Sequence, residues 1–289
     1  ALMADVGASL GLAAATAAFG VAEMVDENMA SAARVHAIES GKGFGGRAMI
    51  AFGGAAPLHA ARVAEKLGID TVVIPSHAGV GSAVGFLRAP VAYEVVRSNF
   101  QLLSALRPQD LSRMFEAMTV EAASVVAEAA PGRSTVEKRS GFMRYVGQAH
   151  EIEVAIPVRA YRSGDDAALR ELFEAEYLRL FKRLVPGVDI EAMSWKTEVS
   201  TQIPPPTARR TNASDSQPKP LERRPVFEPA KEAFVEASIY RREDLPPGAR
   251  VSGPAVIEED ETSTVLTSAF DAVVHDWAII LTKRAGDER

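Results

Sequence analysis

The chain has 289 residues, of which 47% are hydrophobic, so it is long enough for two or three domains with real cores. Its formal net charge of -6 argues against a nucleic-acid groove, which needs a strongly basic surface. The absence of cysteine excludes disulfides and thiolate metal sites and fits a reducing compartment, so we expect a cytoplasmic protein.

The first part of the chain is predicted to be helical. Residues 8–25 form the most apolar segment, which is rich in alanine, interrupted by Gly11 and Gly20, and without a basic flank. These features predict a buried helix and not a membrane span or a signal peptide. From Ala13 to about Ser40, apolar residues recur at helical spacing among charged ones, which predicts one long amphipathic helix. Because the first residue is not methionine, we expect a fragment or a processed piece.

The stretch 47–87 predicts a strand, a glycine turn, a helix and a second strand. A short apolar run ends at Gly53-Gly54, a helical pattern begins at once, and Gly68 ends it before the apolar run 69–75. Glycine lacks the Cβ that would hold a flat ligand off the backbone, and the helix N-terminus offers free N–H groups. The turn therefore suits a nucleotide, although it lacks G-x-G-x-x-G spacing and a phosphate-loop lysine; the alternative is a tight turn without a ligand.

Small residues follow the second predicted strand, from Gly79 to Gly85. They allow a helix to pack closely on its neighbours or on the Gly-Gly turn, with or without a ligand. His59 and His77 lie near this region, but no acid or serine is spaced to form a nucleophilic triad with them. We therefore interpret both histidines as structural.

The middle of the chain, residues 91–203, is predicted to be an α+β domain of order β-α-β-β-α-β, with helices on one side of an antiparallel sheet. The strands are predicted at 91–103, 135–146, 151–158 and 189–203, and the helices at 108–130 and 164–185. Strand alternation places Glu151 and Glu153 on one face and His150 on the other, so they do not converge as zinc ligands.

The last part of the chain is predicted to be a proline-rich linker at 204–230 and a small all-β module at 231–289. Its short strands are predicted at 234–240, 255–258, 263–267, 272–275 and 278–282. The acidic run from Glu258 to Glu261 is either a cation site or, as is usual for such runs, a solvated turn.

Several motifs, taken in chain order, resemble the hydantoinase A and 5-oxoprolinase family, which also contains subunits of acetone and acetophenone carboxylases. They are ENMA at 27–30, FGGAAPLHA at 52–60, the segment 75–85, MRYVGQ at 143–148, and GPAVIE at 253–258 with Thr262 and Thr264. Together they extend over nearly the whole chain, and such a set is specific where its single members are not.

The resemblance implies a multidomain α/β and α+β protein that begins with part of an ATPase lobe similar to actin, Hsp70 and sugar kinases, here residues 1–90. In that fold the second lobe closes over adenosine with a strand, a Gly-Gly turn and a helix. By resemblance Gly53, Gly54 and Ala55 would lie against the adenine and ribose of ATP. Asn28 on the preceding helix and Gly81 with Ser82 after the second strand would lie nearby.

Two departures from the family pattern limit this expectation. Ala56 stands where the family usually has glycine, which adds one methyl group beside the turn. The family's Asp-x-Gly-Gly-Thr phosphate loop is not found, and the nearest string, Asp5-Val-Gly-Ala-Ser, lacks its second glycine and its threonine. The chain therefore resembles the carboxy-terminal part of the family only. We expect the ligands of ATP-bound magnesium outside this chain, no metal site within it, and no identifiable catalytic residues.

The resemblance implies the carboxy-terminal portion of an ATP-dependent hydantoinase or 5-oxoprolinase, where phosphorylation activates a cyclic amide oxygen before ring opening. One alternative is a subunit of an ATP-dependent ketone carboxylase, and another is a non-catalytic assembly module, which the missing phosphate loop favours. The expected partners are the amino-terminal part of the same subunit, a hydantoinase B-like subunit and a small-molecule substrate, with neither nucleic acid nor a membrane.

Overall fold

The structure is a computed structural model that describes residues 2–203 and 216–285. Its helices are α1 (Leu2–Leu10), α2 (Ala14–Glu39), α3 (Ala56–Leu67), α4 (Gly81–Arg88), α5 (Pro108–Ala129) and α6 (Asp165–Phe181). Its strands are β1 (Ala48–Ile50), β2 (Thr71–Pro75), β3 (Ala92–Leu102), β4 (Thr135–Tyr145), β5 (Ile152–Ile156), β6 (Ile190–Thr201), β7 (Glu222–Glu228), β8 (Ala233–Arg241), β9 (Arg250–Ser252), β10 (Ala255–Glu258), β11 (Ser263–Leu266), β12 (Phe270–Val274) and β13 (Ala278–Lys283).

The chain divides into two units, and the first is built from both ends of the sequence, with described residues 2–87 and 216–285. Its larger sheet has the order β1-β2-β13-β12-β9. Strands β1 and β2 are parallel and joined by α3, whereas β13 runs antiparallel to β2 with Ile279 opposite Ile74. Both of these isoleucines are buried. The last strands of the chain therefore complete the sheet that the first two strands begin.

A second sheet in the same unit has the order β11-β10-β8-β7, and α3 packs against β11 on one side and α2 on another. The helix approaches closely because the residues it buries are small, including Ala60, Ala61 and Ala64. Left-handed Gly68 ends α3 (φ 66°) and donates its backbone N–H to Glu65.

The structure differs from the predicted linker and separate β module. Strand β7 lies inside the stretch 204–230, and β12 and β13 belong to the sheet of β1 and β2. The strands predicted after residue 231 are present, but β13 also pairs with β2 near the other end of the chain, a partner that a local strand pattern does not encode. The rest of the predicted linker, residues 204–215, lies outside the described residues.

The segment 8–25 also differs from the single buried helix that was predicted. Gly11 adopts a left-handed conformation (φ 67°) and separates α1 from α2. Helix α2 buries Ala17, Asp26 and Ala30, and most of its large apolar side chains are exposed. No helix of the described residues qualifies singly as a membrane span; α1 and α2 qualify only as a pair, bent by 95°.

The second unit contains described residues 88–203 and one antiparallel sheet of order β3-β6-β4-β5. Helix α5 packs on β3 and β6, and α6 packs on β5. Its elements follow one another as β3-α5-β4-β5-α6-β6, the order predicted for residues 91–203. The core is aromatic, with Phe115, Tyr145, Phe173 and Trp195 almost entirely buried.

Candidate functional site

The Gly53-Gly54 turn lies at the carboxyl edge of the parallel pair β1 and β2. Gly53 has φ 120°, a conformation that side-chain-bearing residues rarely adopt. Its N–H donates to the carbonyl oxygen of Ala78 (2.9 Å), and its carbonyl accepts from the N–H of Ala56 (3.3 Å). Because parallel strands end at the same edge, the turn after β1 is anchored to the segment after β2.

A third segment, the turn between β10 and β11, closes on these two. Thr262 is buried, and its Oγ1 donates to the carbonyl oxygen of Gly54 (2.6 Å). A Cβ added to Gly79 would lie 2.6 Å from both the Cβ and the carbonyl oxygen of Glu261. We call the segments 52–55, 76–81 and 259–262 the three-loop junction. Its close approaches fix the path of the Gly-Gly turn.

The N-terminus of α3 opens directly onto this junction. Its N-cap residue Ala55 provides no side-chain cap, and Pro57 occupies the first turn. Gly54 and Ala55 are exposed, and a Cβ on Gly54 would make only ordinary contact, 3.7 Å from the carbonyl oxygen of Glu261. The N–H of Ala56 donates to the carbonyl of Gly53 and that of Leu58 to the carbonyl of Ala55, and Pro57 has no N–H. The first turn of α3 therefore offers a flat ligand its dipole and bare, exposed backbone rather than free N–H groups.

The structure brings four of the predicted site residues, Gly53, Gly54, Ala55 and Gly81, into the junction. A Cβ on Gly81 would lie 2.2 Å from the ring of Phe52. Ser82 follows Gly81 in the first turn of α4 and is exposed. These placements agree with the expected neighbourhood, and contact with a nucleotide stays a prediction.

Asn28 is placed elsewhere. It is exposed on α2, about 200° around the helix from the buried Asp26 that faces α3. Within the described residues it makes no hydrogen bond or ion pair with the junction. The structure therefore does not join Asn28 to the Gly-Gly turn.

The sequence placed Glu261 only in an acidic run and assigned Thr262 no role, although both residues help to build the junction. Thr262 belongs to the family motifs, and this is the sequence signal that could have identified it. Nothing local connects it to Gly54, because the two residues are 208 positions apart.

A polar cleft of about 490 Å³ borders the junction through His77 and Glu261. His77 is left-handed (φ 60°), which is uncommon for a residue with a side chain. Arg242 donates to the carbonyl oxygen of His275 (2.6 Å), and its Nε lies 3.6 Å from Glu259. Burial lowers the pKa of Arg242 and raises the pKa of Glu259.

The acidic run 258–261 ends β10 and forms the turn before β11. In the parts of the chain that the structure describes, no group of three or more His, Cys, Asp or Glu side chains is arranged to hold a metal ion.

An ion-pair network, which we call the α2–α3 clamp, holds α3 against α2. Arg62 donates to Glu23 (2.7 Å), and Lys66 donates to Glu23 (2.5 Å) and Glu27 (3.0 Å). The hydrogen bond from Arg62 is the largest cause that lowers the pKa of Glu23. Hydrogen bonds from Arg34 and Lys66 lower the pKa of Glu27 to about 2.

The α2–α3 clamp predicts a loss of stability in acid. Folding lowers the pKa of both carboxyls, so their contribution is present above the ordinary value of 4.5 and is lost as pH falls through each lowered pKa, which for Glu27 is about 2. We expect Glu23→Gln to lower the free energy of unfolding by up to about 1 kcal/mol at pH 7, and this effect to diminish as pH falls below 4.5 and through the lowered pKa of Glu23. Urea unfolding across this range measures the difference. Glu39→Gln, at the exposed end of the same helix, is the matched control, and an equal loss in both variants at pH 7 would contradict the prediction.

The parallel β1-α3-β2 unit with its glycine turn, together with the antiparallel second unit, defines a mixed α/β protein with three sheets. The chain belongs to the hydantoinase/oxoprolinase family. The sequence model described as hydantoinase/oxoprolinase matches residues 1–95, and that of the hydantoinase/oxoprolinase C-terminal domain matches residues 104–285. The family resemblance and its restriction to the carboxy-terminal part are thereby confirmed.

Relatives in this family carry the names of different enzymes. The chain is 28% identical to the acetone carboxylase beta subunit of Xanthobacter autotrophicus, over 94% of this chain and 40% of that protein. It is 27% identical to caprolactamase subunit alpha of Pseudomonas jessenii, over 92% and 39%. A nucleotide-free structure of acetone carboxylase, from work on ATP-dependent acetone carboxylation, matches with TM-score 0.76 and 26% identity over 97% of this chain and 41% of that chain. The chain spans about two fifths of the length of the curated relatives it matches first.

Proposed function

We propose that this chain is the carboxy-terminal portion of an ATP-dependent enzyme subunit and that it supplies nucleoside contacts. The observation that carries the proposal is the three-loop junction, which presents Gly54 as exposed backbone beside the N-terminus of α3. In this proposal β1, the Gly-Gly turn, α3 and β2 belong to the second lobe of an actin-like ATPase. The name of the acetone carboxylase relative, whose reaction is ATP-dependent, supports the choice of nucleotide.

Each part of the junction has a separate task in binding. The bare backbone at Gly53 and Gly54 lets a flat base approach, and the first turn of α3 directs its dipole toward polar groups of the nucleoside. Thr262 holds the carbonyl of Gly54 and thereby keeps the turn open. Bound ATP would supply the phosphoryl group that activates a substrate oxygen. The contacts to the phosphates and to magnesium are assigned to a region outside this chain.

The proposed reaction is the opening of a cyclic amide, and the alternative is the carboxylation of a ketone. The caprolactamase relative supports the first and the acetone carboxylase relative supports the second, at similar identity, and solved structures of both match this fold. An assay of ATP consumption distinguishes the two reactions. It compares hydantoin, 5-oxoproline and caprolactam as substrates with acetone or acetophenone in the presence of bicarbonate. Turnover of ketones alone would overturn the cyclic amide assignment.

The exposed face of α2 supports the proposal of a covering partner segment. Six of its large apolar residues are exposed in the described structure, and they are Val21, Met24, Val25, Met29, Val35 and Ile38. Large apolar side chains exposed along one helix are typical of an interaction site. We assign it to the amino-terminal part of the same subunit, with a hydantoinase B-like subunit as the further partner.

Gly54→Ala tests the nucleoside contact. The added Cβ meets the protein only at ordinary contact distance, so we expect the free energy of unfolding to change by less than about 0.5 kcal/mol. The same methyl group lies on the exposed backbone where the nucleoside is proposed to sit, so we expect ATP and adenosine to bind about tenfold more weakly. Isothermal titration calorimetry on the complete subunit measures both ligands.

Gly20→Ala is the control, because Gly20 lies in α2 with open space around its Cβ position. It should bind ATP as the parent does and gain about 0.5–1 kcal/mol of stability. Parental affinity in Gly54→Ala would remove the turn from the site. If the complete parent subunit binds no nucleotide at all, the chain is an assembly module instead.

A further inference from the structure

A second cavity in the first unit lies between α2, α3 and the strands β7, β8 and β11, with a volume of about 350 Å³. Most of its wall is apolar, and three aromatic rings from different elements meet there. The ring of Phe19 stacks on Phe227 at 4.5 Å, and Phe234 meets Phe227 edge-on at 5.4 Å. A cavity of this size is far larger than the voids left by core packing and falls within the range of small-ligand pockets.

The cavity has one polar end, formed by Asp26 of α2 and His59 of α3. Asp26 is only 6% exposed, and its Oδ1 lies 2.7 Å from His59 Nδ1. Burial raises the pKa of Asp26, and the hydrogen bond to His59 acts against that rise. A buried carboxyl is costly unless it is paired, so this pair fixes the orientation of the imidazole.

Each of the other charged or hydroxyl side chains of the lining makes at least one hydrogen bond within the protein. Arg62 donates to Glu23 and Glu65, Glu228 accepts from the N–H of Ser268 (3.0 Å), and Thr267 donates to Glu65 (2.5 Å). With the carboxylate of Asp26 as acceptor, the ring proton of His59 lies on Nδ1. In the neutral imidazole His59 Nε2 then carries a lone pair, and no hydrogen bond to it occurs among the described residues, so it is an acceptor that the lining offers to a ligand.

We propose that this cavity binds a small molecule with an apolar ring and one hydrogen-bond donor, and that His59 Nε2 accepts that donor. The aromatic walls contribute the contact area, and the Asp26–His59 pair contributes orientation and specificity. The lining includes no residue of the three-loop junction, so this site is separate from the proposed nucleoside site. His59, which sequence reasoning left as structural, thereby gains a function.

Two matched probes test the site in the complete purified subunit: 2-naphthol, which carries a hydroxyl donor on a bicyclic ring, and 2-methoxynaphthalene, which has no donor. Isothermal titration calorimetry should give one saturable site for both, with 2-naphthol bound about two- to tenfold more tightly, the effect of one hydrogen bond. His59→Asn keeps a donor toward Asp26 and removes Nε2, so it should abolish that preference and leave 2-methoxynaphthalene unchanged. His36→Asn, on the exposed side of α2, is its control.

A filling substitution keeps the test independent of His59. Ala22 lines the cavity from α2, whereas Ala32 lies on the same helix outside it. Ala22→Leu should weaken both probes at least about tenfold, because the added side chain occupies cavity volume, and Ala32→Leu should change neither. Parental binding in Ala22→Leu, equal affinity for the two probes, or no saturable binding of either one overturns the proposal. ATP affinity should stay at the parental value throughout.

Discussion

Phe115→Ala is expected to lower the free energy of unfolding of the second unit by about 3–5 kcal/mol, the range for deleting a large buried aromatic side chain. Phe115 is completely buried on α5. Its ring centroid lies 5.8 Å from Trp195 and 5.7 Å from Tyr161, and the guanidinium of Arg139 sits 4.7 Å above the ring. The substitution therefore removes apolar burial, two ring contacts and a cation–π contact at one point.

The two tryptophans of this chain allow the effect to be assigned to a unit. Trp195 is fully buried in the second unit, and Trp277 is half-exposed in the first. In protein labelled with 5-fluorotryptophan, the urea midpoint of the Trp195 resonance should fall strongly. Val120→Ala, at an exposed position of the same helix, should change the free energy of unfolding by less than about 0.5 kcal/mol. Similar midpoints for Phe115→Ala and Val120→Ala would show that this aromatic core is not what stabilises the unit.

The second unit is also where sequence reasoning succeeded best, for a physical reason. Its helices and strands are long and strongly periodic, as in α5, whose buried residues Leu111, Phe115 and Met118 recur at helical spacing. Strand β6 buries alternate residues such as Trp195 and Thr197. Periodicity of this kind is local, so it predicts an element without knowledge of its partner.

Local sequence patterns did not predict the buried face of a helix where the packing partner determines that face. In α2 the apolar residues Val21 and Met24 predicted the helix correctly, but the face turned to α3 carries Glu23 and Asp26, because Arg62 and His59 of α3 pair with them. Charge complementarity between α2 and α3 determines which face of α2 is buried, and the spacing of hydrophobic residues in α2 gives no information about it.

At the carboxyl edge of the first sheet, too, local sequence patterns could not predict which segments lie together. The pattern of β13 predicts a strand, yet its antiparallel register with β2, Leu281 opposite Val72, makes it part of the sheet that carries the Gly-Gly turn. The glycines of the turn were found from sequence because their chemistry is local. The contact of the turn between β10 and β11 with these glycines was not predicted, because it arises only when both ends of the chain fold together.

Gly79→Ala is expected to disrupt the three-loop junction and to lower the stability of the first unit by about 1–3 kcal/mol, the usual cost of overpacking. Its Cβ would lie 2.6 Å from the carbonyl oxygen of Glu261, which is backbone and cannot rotate away as a side chain can. Relief requires the turn 259–262 to move, and Thr262 moves with it. The hydrogen bond from Thr262 to the carbonyl of Gly54 should weaken as a result. Through the turn 259–262, the added methyl group therefore acts on the Gly53-Gly54 turn, which ends 25 residues before Gly79 in sequence and is adjacent in space.

The Gly79→Ala variant should lower the urea midpoint of the Trp277 resonance, because the N–H of Ser76 in the same loop donates to the carbonyl of Trp277 (2.8 Å). The Trp195 midpoint should not change, since Trp195 belongs to the other unit. Gly85→Ala is the matched control: it lies on α4 with open space around its Cβ position, and a helical alanine there should stabilise by about 0.5–1 kcal/mol. Unchanged midpoints in Gly79→Ala would mean that the three-loop junction accommodates the added methyl group without loss of stability. In that case Thr262 would not determine where the Gly53-Gly54 turn lies, and the turn would depend on its hydrogen bond to Ala78 alone.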